Sequence, residues 1–237
     1  MASNPPAKCC TVGVKHDFLP PQRRAHRHHL QDRPVRGLPR DAPAGVAQAQ
    51  DTAILYLPDV ISIWQNSKLM ADQFAANGYL TLIIDLFNGD ALSLNRSGDF
   101  DFMSWLTKGS TGDNPHTTEA VDPIVVEAIK YLKQEKGVKK IGAVGYCFGA
   151  KYVARHYPDI TGPLSIAAAE TDEIFPAEKR HRSEEILKEG GRPYQINLYS
   201  QTEHGFTVRC DVSKKEQKFA KEQAFLQAVT WFNHWLL

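Results

Sequence analysis

At 237 residues, 42% of them hydrophobic and 23% charged, the chain has the size and make-up of one globular domain with a sizeable core. A formal net charge of +1 argues against a nucleic-acid or charged-membrane partner for the chain as a whole. Apolar runs such as "YLTLII" are too short to span a bilayer, and "MASNPPAKCC" lacks the basic start and apolar stretch of a secretory signal, so the expected compartment is the cytoplasm.

In chain order, residues 1–16 form an N-terminal segment carrying the adjacent cysteines Cys9 and Cys10. Residues 17–50, "DFLPPQRRAHRHHLQDRPVRGLPRDAPAGVAQAQ", are rich in Arg, Pro, His and Ala, with almost no aromatic or β-branched residues. No strand or helix period emerges there, and so little apolar surface cannot offset the entropy of ordering. The expectation is a poorly ordered basic insert, with a nucleic-acid-binding arm as the less favoured reading. Its composition resembles a shifted reading frame or a mis-assigned exon, an idea that sequencing of the transcript tests.

Residues 51–237 alternate strand-like and helix-like segments. Strands are expected over 53–60, 79–86 and 140–147, then 165–172 and 194–200, as short apolar runs bounded by turn residues. Helices are expected over 66–78 (Asn66 or Ser67 as cap, Gly78 as stop), 118–137 and 178–191. A last helix over 214–237 would bury residues 219, 225, 226, 229 and 232. Such alternation predicts an α/β fold with a mostly parallel, buried sheet and helices on both faces. Active sites in these folds form at the carboxyl ends of the strands.

The stretch "GYCFG" puts Cys147 between Gly145 and Gly149 at an expected strand-to-helix turn. Glycines there allow a strained nucleophile backbone and a close helix–strand approach. The helix N-terminus favours a thiolate, and the Phe148 N–H lies near where an oxyanion would develop. A cysteine nucleophile needs a base, and the base an orienting carboxylate. "AAAETDEIFP" puts Asp172 at a strand exit, and "YSQTEHGF" puts His204 after the next strand. Glu170, Glu173 and Glu203 are rival carboxylates. The order nucleophile, acid, histidine is that of α/β-hydrolases. A redox role for Cys147 lacks a resolving cysteine close in sequence.

"VGYCFGAKYV", "ETDEIFPAEKRH" and "EHGFTVR", supported by "LPDVISIWQNSKLMADQFAANGYLTLIIDLFNGD", give the chain a resemblance to the dienelactone hydrolase family, most of all to its fungal members. The resemblance covers "CCTVGVKH" and most of residues 52–237. It implies an α/β-hydrolase fold without a large lid, a Cys147–Asp172–His204 triad, and neither metal nor cofactor. It also implies an oxyanion hole from the Phe148 and Val60 N–H groups, and Asp59 at the position of an acid that meets the resting thiol. Three departures stand out. Ser62 takes the place of a usual glycine. The arginine that holds the substrate carboxylate in bacterial members falls at Val208, leaving Arg209, one residue on, as a candidate substrate contact. Only "YPDITGPL" separates the nucleophile helix from the acid's strand, and residues 17–50 replace further strands, so the sheet is expected to lack one or more family strands. Losing one would displace Asp172 from Cys147 by about 4.8 Å unless a loop compensates.

The function expected is hydrolysis of a small ester, lactone or thioester through an acyl-cysteine, in polyketide secondary metabolism or aromatic-lactone breakdown. The alternative is a catalytically impaired or non-enzymatic paralogue. The expected partner is the small-molecule substrate, with no nucleic acid and no membrane, acting as a monomer or weak homodimer.

Overall fold

The structure, a computed structural model, describes residues 4–5, 7–16, 35–96, 99–154 and 162–237. Residues 17–34 of the basic insert, with the proposed arm, and 155–161 before the acid's strand lie outside the described residues. Elements follow in the order β1 (Gly37–Arg40), β2 (Thr52–Leu57), α1 (Gln65–Ala76), β3 (Leu80–Ile84), α2 (Phe102–Lys108) and α3 (Thr118–Lys130), which runs into a wider turn at Tyr131–Glu135. Then come β4 (Lys140–Gly145), α4 (Phe148–Val153), β5 (Leu164–Thr171), α5 (Ala177–Glu189), β6 (Tyr194–Glu203), α6 (Phe206–Arg209) and α7 (Lys215–Leu236). No helix among them is long and apolar enough to cross a membrane.

Strands β3, β2 and β4 pair in parallel, and β1 closes one edge antiparallel to β3, giving the order β1-β3-β2-β4. The central strand "TAILYL" is buried at every position, as a strand covered on both faces must be. Its side chains alternate: Ala53, Leu55 and Leu57 enter one core with Leu82, Trp105 and Val121, while Ile54 and Tyr56 enter another with Met70, Phe74, Val229 and Phe232. Helices α1 and α7 therefore cover one face and α2 and α3 the other. The α/β fold with helices on both faces is the one expected.

Strand β1 corrects the reading of residues 17–50 as wholly irregular. Gly37–Arg40 is fully buried, and Arg40 Nε lies 2.7 Å from Asp72 Oδ1 on α1. Its sequence, "GLPR", carries no strand pattern of its own. The open edge of β3 supplies the pairing, and an edge strand tolerates Pro39 because one side needs no ladder donors.

Two smaller differences have local causes. Helix α1 starts at Gln65, so Asn66 lies inside it rather than capping it. Its carboxamide instead ties separate segments together, donating to the Val14 and Val208 carbonyls and accepting from the His16 N–H. On α7 the inward face carries Ala220, Ala224, Val229 and Phe232, whereas Phe219 and Leu226 face solvent at 62% and 52% exposure.

Strands β5 and β6 form a separate parallel pair, and among the described residues β4 and β5 are not hydrogen-bonded neighbours. The sheet is interrupted where the short connection to the acid's strand predicts a missing strand. Helix α7 spans the gap, packing on β4, β5 and β6. Gly142 lets it close on β4, since a Cβ there would lie 2.6 Å from Leu236 Cδ1 and 2.8 Å from the Phe232 ring. On the other side, Gln227 donates to Ser165 Oγ at 2.8 Å and to the Ile166 carbonyl at 3.0 Å, and accepts from the Tyr199 hydroxyl at 2.8 Å. One rigid helix thus fixes the two-stranded unit against the four-stranded one.

Candidate active site

The turn between β4 and α4 holds Cys147 at φ 53°, ψ −110°, a conformation an L-residue keeps only when its surroundings enforce it. The enforcement comes from backbone on both sides. The Tyr146 N–H donates to the Leu57 carbonyl at 3.1 Å and the Gly149 N–H to the Pro58 carbonyl at 3.0 Å, which seats the elbow against the end of β2. A Cβ on Gly149 would run into the Leu57 carbonyl, and one on Gly145 would sit 2.5 Å from the Gly149 carbonyl. Both glycines are required by close approach.

Cys147 Sγ lies 3.0 Å from His204 Nε2, and His204 Nδ1 lies 2.9 Å from each oxygen of Asp172. Asp172 follows β5, and its Oδ1 also accepts from the Ile174 and Phe175 N–H groups at 2.8 Å. His204 follows β6, and its N–H donates to the Thr171 carbonyl at 3.1 Å, which joins the two loops. The interrupted sheet therefore does not part the three side chains. The rival carboxylate Glu170 turns to the Gln201 N–H instead.

The electrostatics favour a charged pair. Hydrogen bonding from Cys10 holds the Cys147 thiol well below its usual range against the opposing effect of burial, and His204 and Arg209 add to the lowering. Burial pulls His204 down, but the Cys147 thiolate and the Asp172 carboxylate outweigh it and push the imidazole up to about 10. Asp172, although burial raises it, is held below the usual carboxylate range by its bond to His204.

Val60 and Phe148 are both buried, beside the elbow in the same core. No acceptor among the described residues takes the N–H of either. The loop carrying Val60 turns at Ser62, where φ is 61°, so the position does adopt the left-handed geometry that glycine takes freely. Serine holds it by donating from Oγ to Asp85 Oδ1 at 2.9 Å.

Asp59 and Arg209 bond to each other, and the Cys147 thiolate is close enough to act on the Asp59 carboxylate. The Asp59 carboxylate accepts from Arg209 Nη1 at 2.5 Å and from the Ile61 N–H at 3.1 Å. Burial, partly offset by Arg209, raises Asp59 to about 6. Arg209 also donates from Nε to the Val12 carbonyl at 3.1 Å and from Nη2 to the Cys9 carbonyl at 3.3 Å. With all three nitrogens engaged and the side chain 1% exposed, its guanidinium is not presented to a substrate.

The residue that reading along the chain misses is Cys10. It is 1% exposed, and its sulfur lies 3.8 Å from His204 Nε2. The sulfurs of Cys10 and Cys147 and the Nε2 of His204 all lie within 4.8 Å of one another, a set that could also ligate a soft metal ion. The N-terminal segment brings it there by strapping across the loop that follows Asp172 and the end of α6. Asn4 donates to the Ile174 and Glu173 carbonyls, the Val14 N–H to the Arg209 carbonyl, and His16 Nε2 bonds the Cys210 carbonyl. The inclusion of "CCTVGVKH" in the resemblance is the available signal, but nothing in the chain order places it beside Cys147.

Phe87, Trp105 and Phe148 pack on one another with ring centroids 4.9–6.4 Å apart, in the core role expected of most of these aromatics. A cavity of about 150 Å³ adjoins His204, Phe206 and the strap at Val12–Val14. A groove of about 510 Å³ lies away from these groups, between β6 and α7.

Known proteins place this architecture. The sequence matches the profile of the dienelactone hydrolase family over residues 42–158 and 154–236. It is 41% identical to the hydrolase pyvD of Aspergillus violaceofuscus over 259 residues, covering 100% of this chain and 99% of that one. It is 42% identical to the hydrolase tropI of Talaromyces stipitatus over 261 residues, with the same coverage. Both alignments are longer than the 237 residues of the chain and so run opposite gaps in it. Among solved structures, a dienelactone hydrolase-like promiscuous phosphotriesterase, P91, from metagenomic libraries superposes with a TM-score of 0.64 at 16% identity, covering 85% of this chain and 92% of that one. This last likeness speaks for the fold. On the profile match and the fungal relatives, the chain is a hydrolase and belongs to the dienelactone hydrolase family.

Proposed function

We propose that this hydrolase opens a small ester, lactone or thioester with Cys147 as nucleophile, His204 as acid and base, and Asp172 as the group that orients it. The observation that carries the reading is the continuous contact from Cys147 Sγ through His204 to Asp172, at 3.0 and 2.9 Å, on a strained strand-to-helix turn. The Cys147 thiolate attacks the carbonyl carbon, and the oxyanion is met by the Val60 and Phe148 N–H groups. The bond to the leaving group breaks as that group takes the His204 proton. His204, now neutral, takes a proton from water, the hydroxide attacks the acyl-thioester, and the thiolate departs from the acid product. Asp59, neutralised by Arg209, holds the loop that carries Val60. The fungal resemblance points to lactones or thioesters of secondary metabolism, or to lactones from aromatic breakdown.

A substrate panel with covalent trapping tests this. A dienelactone, p-nitrophenyl acetate and an acyl thioester are compared for turnover, and the enzyme is acid-quenched during the first turnover and digested. The acyl mass is expected on the peptide containing Cys147. An adduct on another residue, or turnover with no adduct from any of the three, counts against the reading.

The raised His204 makes a second prediction. Acylation by an unactivated alkyl ester needs the imidazolium proton, so kcat/KM is expected to fall roughly tenfold per pH unit above about pH 10. Asp172→Asn removes part of the field that holds that proton, and the falling limb is expected at lower pH. A p-nitrophenyl ester, whose leaving group departs without a proton, is expected to show a much weaker limb. Equal limbs for both esters would mean that His204 is not the proton donor.

A further inference from the structure

Cys10 is a buried thiol that makes and breaks no bond in the hydrolytic steps, although its hydrogen bond helps to hold Cys147 as a thiolate. It faces the Cys147 sulfur within 4.8 Å and lies 3.8 Å from His204 Nε2. The two other cysteines are not equivalent to it. Cys210 Sγ is turned to the Gln217 carbonyl at 3.6 Å, and the sulfur of half-buried Cys9 is not part of the convergent set. Cys147 keeps partial exposure, whereas Cys10 is 1% exposed and meets what forms on its neighbour.

We propose that Cys10 is the resolving cysteine of a reversible peroxide response at this site, forming an intramolecular disulfide with Cys147. The proposal rests on the reading of Cys147 as an accessible thiolate held by His204. A hydroperoxide oxidises that thiolate: the sulfur takes the distal oxygen to become a sulfenic acid, and the departing hydroxide or alkoxide takes the His204 imidazolium proton and leaves as water or alcohol. His204, now neutral and lying beside Cys10, accepts the Cys10 proton. The Cys10 sulfur then attacks the Cys147 sulfur, an S–S bond forms, and the hydroxyl leaves as water with that proton. Two equivalents of a small thiol restore both cysteines and leave as their own disulfide. Closing to the S–S length of about 2.0 Å calls for rotation of the Cys10 side chain or a shift of its turn. That turn, Lys8–Cys10, is short, and the Cys10 N–H is held by the Ala7 carbonyl, whereas Cys147 is pinned by the elbow. Without a resolving thiol a sulfenic acid proceeds to sulfinic acid, which small thiols do not reverse. Cys10 thus protects the nucleophile from permanent loss.

The test treats the full chain with a modest excess of hydrogen peroxide, blocks remaining thiols, and digests with trypsin without reduction. The expected product links "CCTVGVK" (9–15) to "IGAVGYCFGAK" (141–151), with the mass of the two peptides together less two hydrogens, plus one blocking group on Cys9. It is expected to persist in Cys9→Ser and to vanish in Cys10→Ser and Cys10→Ala. Ester turnover, scaled to each protein's own untreated rate, is expected to return with dithiothreitol in the wild type. In the Cys10 variants roughly tenfold less should return, with sulfinic acid at Cys147. Sulfinic acid at Cys147 in the wild type without the link, or a link that survives Cys10→Ser but not Cys9→Ser, overturns the proposal. The peptide map needs no turnover, so it stands or falls separately from the hydrolytic reading, which the acyl adduct decides.

Discussion

Cys147→Ala is expected to lower turnover of p-nitrophenyl acetate by roughly ten-thousand-fold, to the level that binding and the oxyanion N–H groups alone sustain. The size of the loss follows from the site acting as a unit. His204 has its Nε2 aimed at the sulfur and its Nδ1 fixed by Asp172, so without Cys147 no nucleophile on the elbow stands beside the imidazole. Folding is expected to be little affected, because alanine and cysteine face the same positive φ and differ by a single sulfur atom. Cys147→Ser gives a useful contrast: its hydroxyl does not ionise beside His204, so turnover is expected to drop while substrate still binds. A Cys147→Ala enzyme of wild-type rate and melting temperature would remove the nucleophile from the mechanism.

The largest stability effect is expected at the buried pair. Arg209→Met strands the Asp59 carboxylate, 0% exposed, and frees the Val12 and Cys9 carbonyls. Removing one partner of a buried ion pair costs about 3–5 kcal/mol, or roughly 6–20 °C in Tm for a chain of this size. Part of the loss is expected back in Arg209→Met with Asp59→Asn, which removes the stranded charge. The pH dependence has a definite sign. Asp59 is already raised above the unfolded carboxylate value, to about 6, with Arg209 opposing the rise, so removal of Arg209 raises it further. A raised carboxylate favours the folded state when protonated and loses that advantage as pH climbs through its folded pKa. The deficit of Arg209→Met is therefore expected to be larger at pH 8 than at pH 5. A shift in Tm below about 2 °C, independent of pH, would show that the pair is not structural.

How much of this was legible in the chain varies with the range of the forces involved. The strand "TAILYL" and the elbow "GYCFG" are local: a short continuous apolar run and steric demand at two glycines act over a few residues. Helix α2 is local too, and the Asp101 side chain accepting from the Ser104 N–H is a capping pattern that could have located it. Strand β1 was not legible, because "GLPR" is a strand only by virtue of the edge that β3 leaves open. The fate of Arg209 was not legible either, since its partners come from positions 9, 12 and 59.

The order of nucleophile, acid and histidine along the chain, and the short connection ahead of the acid's strand, are properties of the sequence by itself. Together with the alternation of strand-like and helix-like segments, they point to the kind of fold, to Cys147, Asp172 and His204, and to a shortened sheet. Whether those residues meet was decided in three dimensions. Helix α7 grips both halves of the divided sheet, and the N-terminal segment, tied by backbone hydrogen bonds to the loops after β5 and α6, delivers a second thiol to the first. Such contacts join residues far apart along the chain, so their strength depends on packing and hydrogen bonding that no short stretch contains.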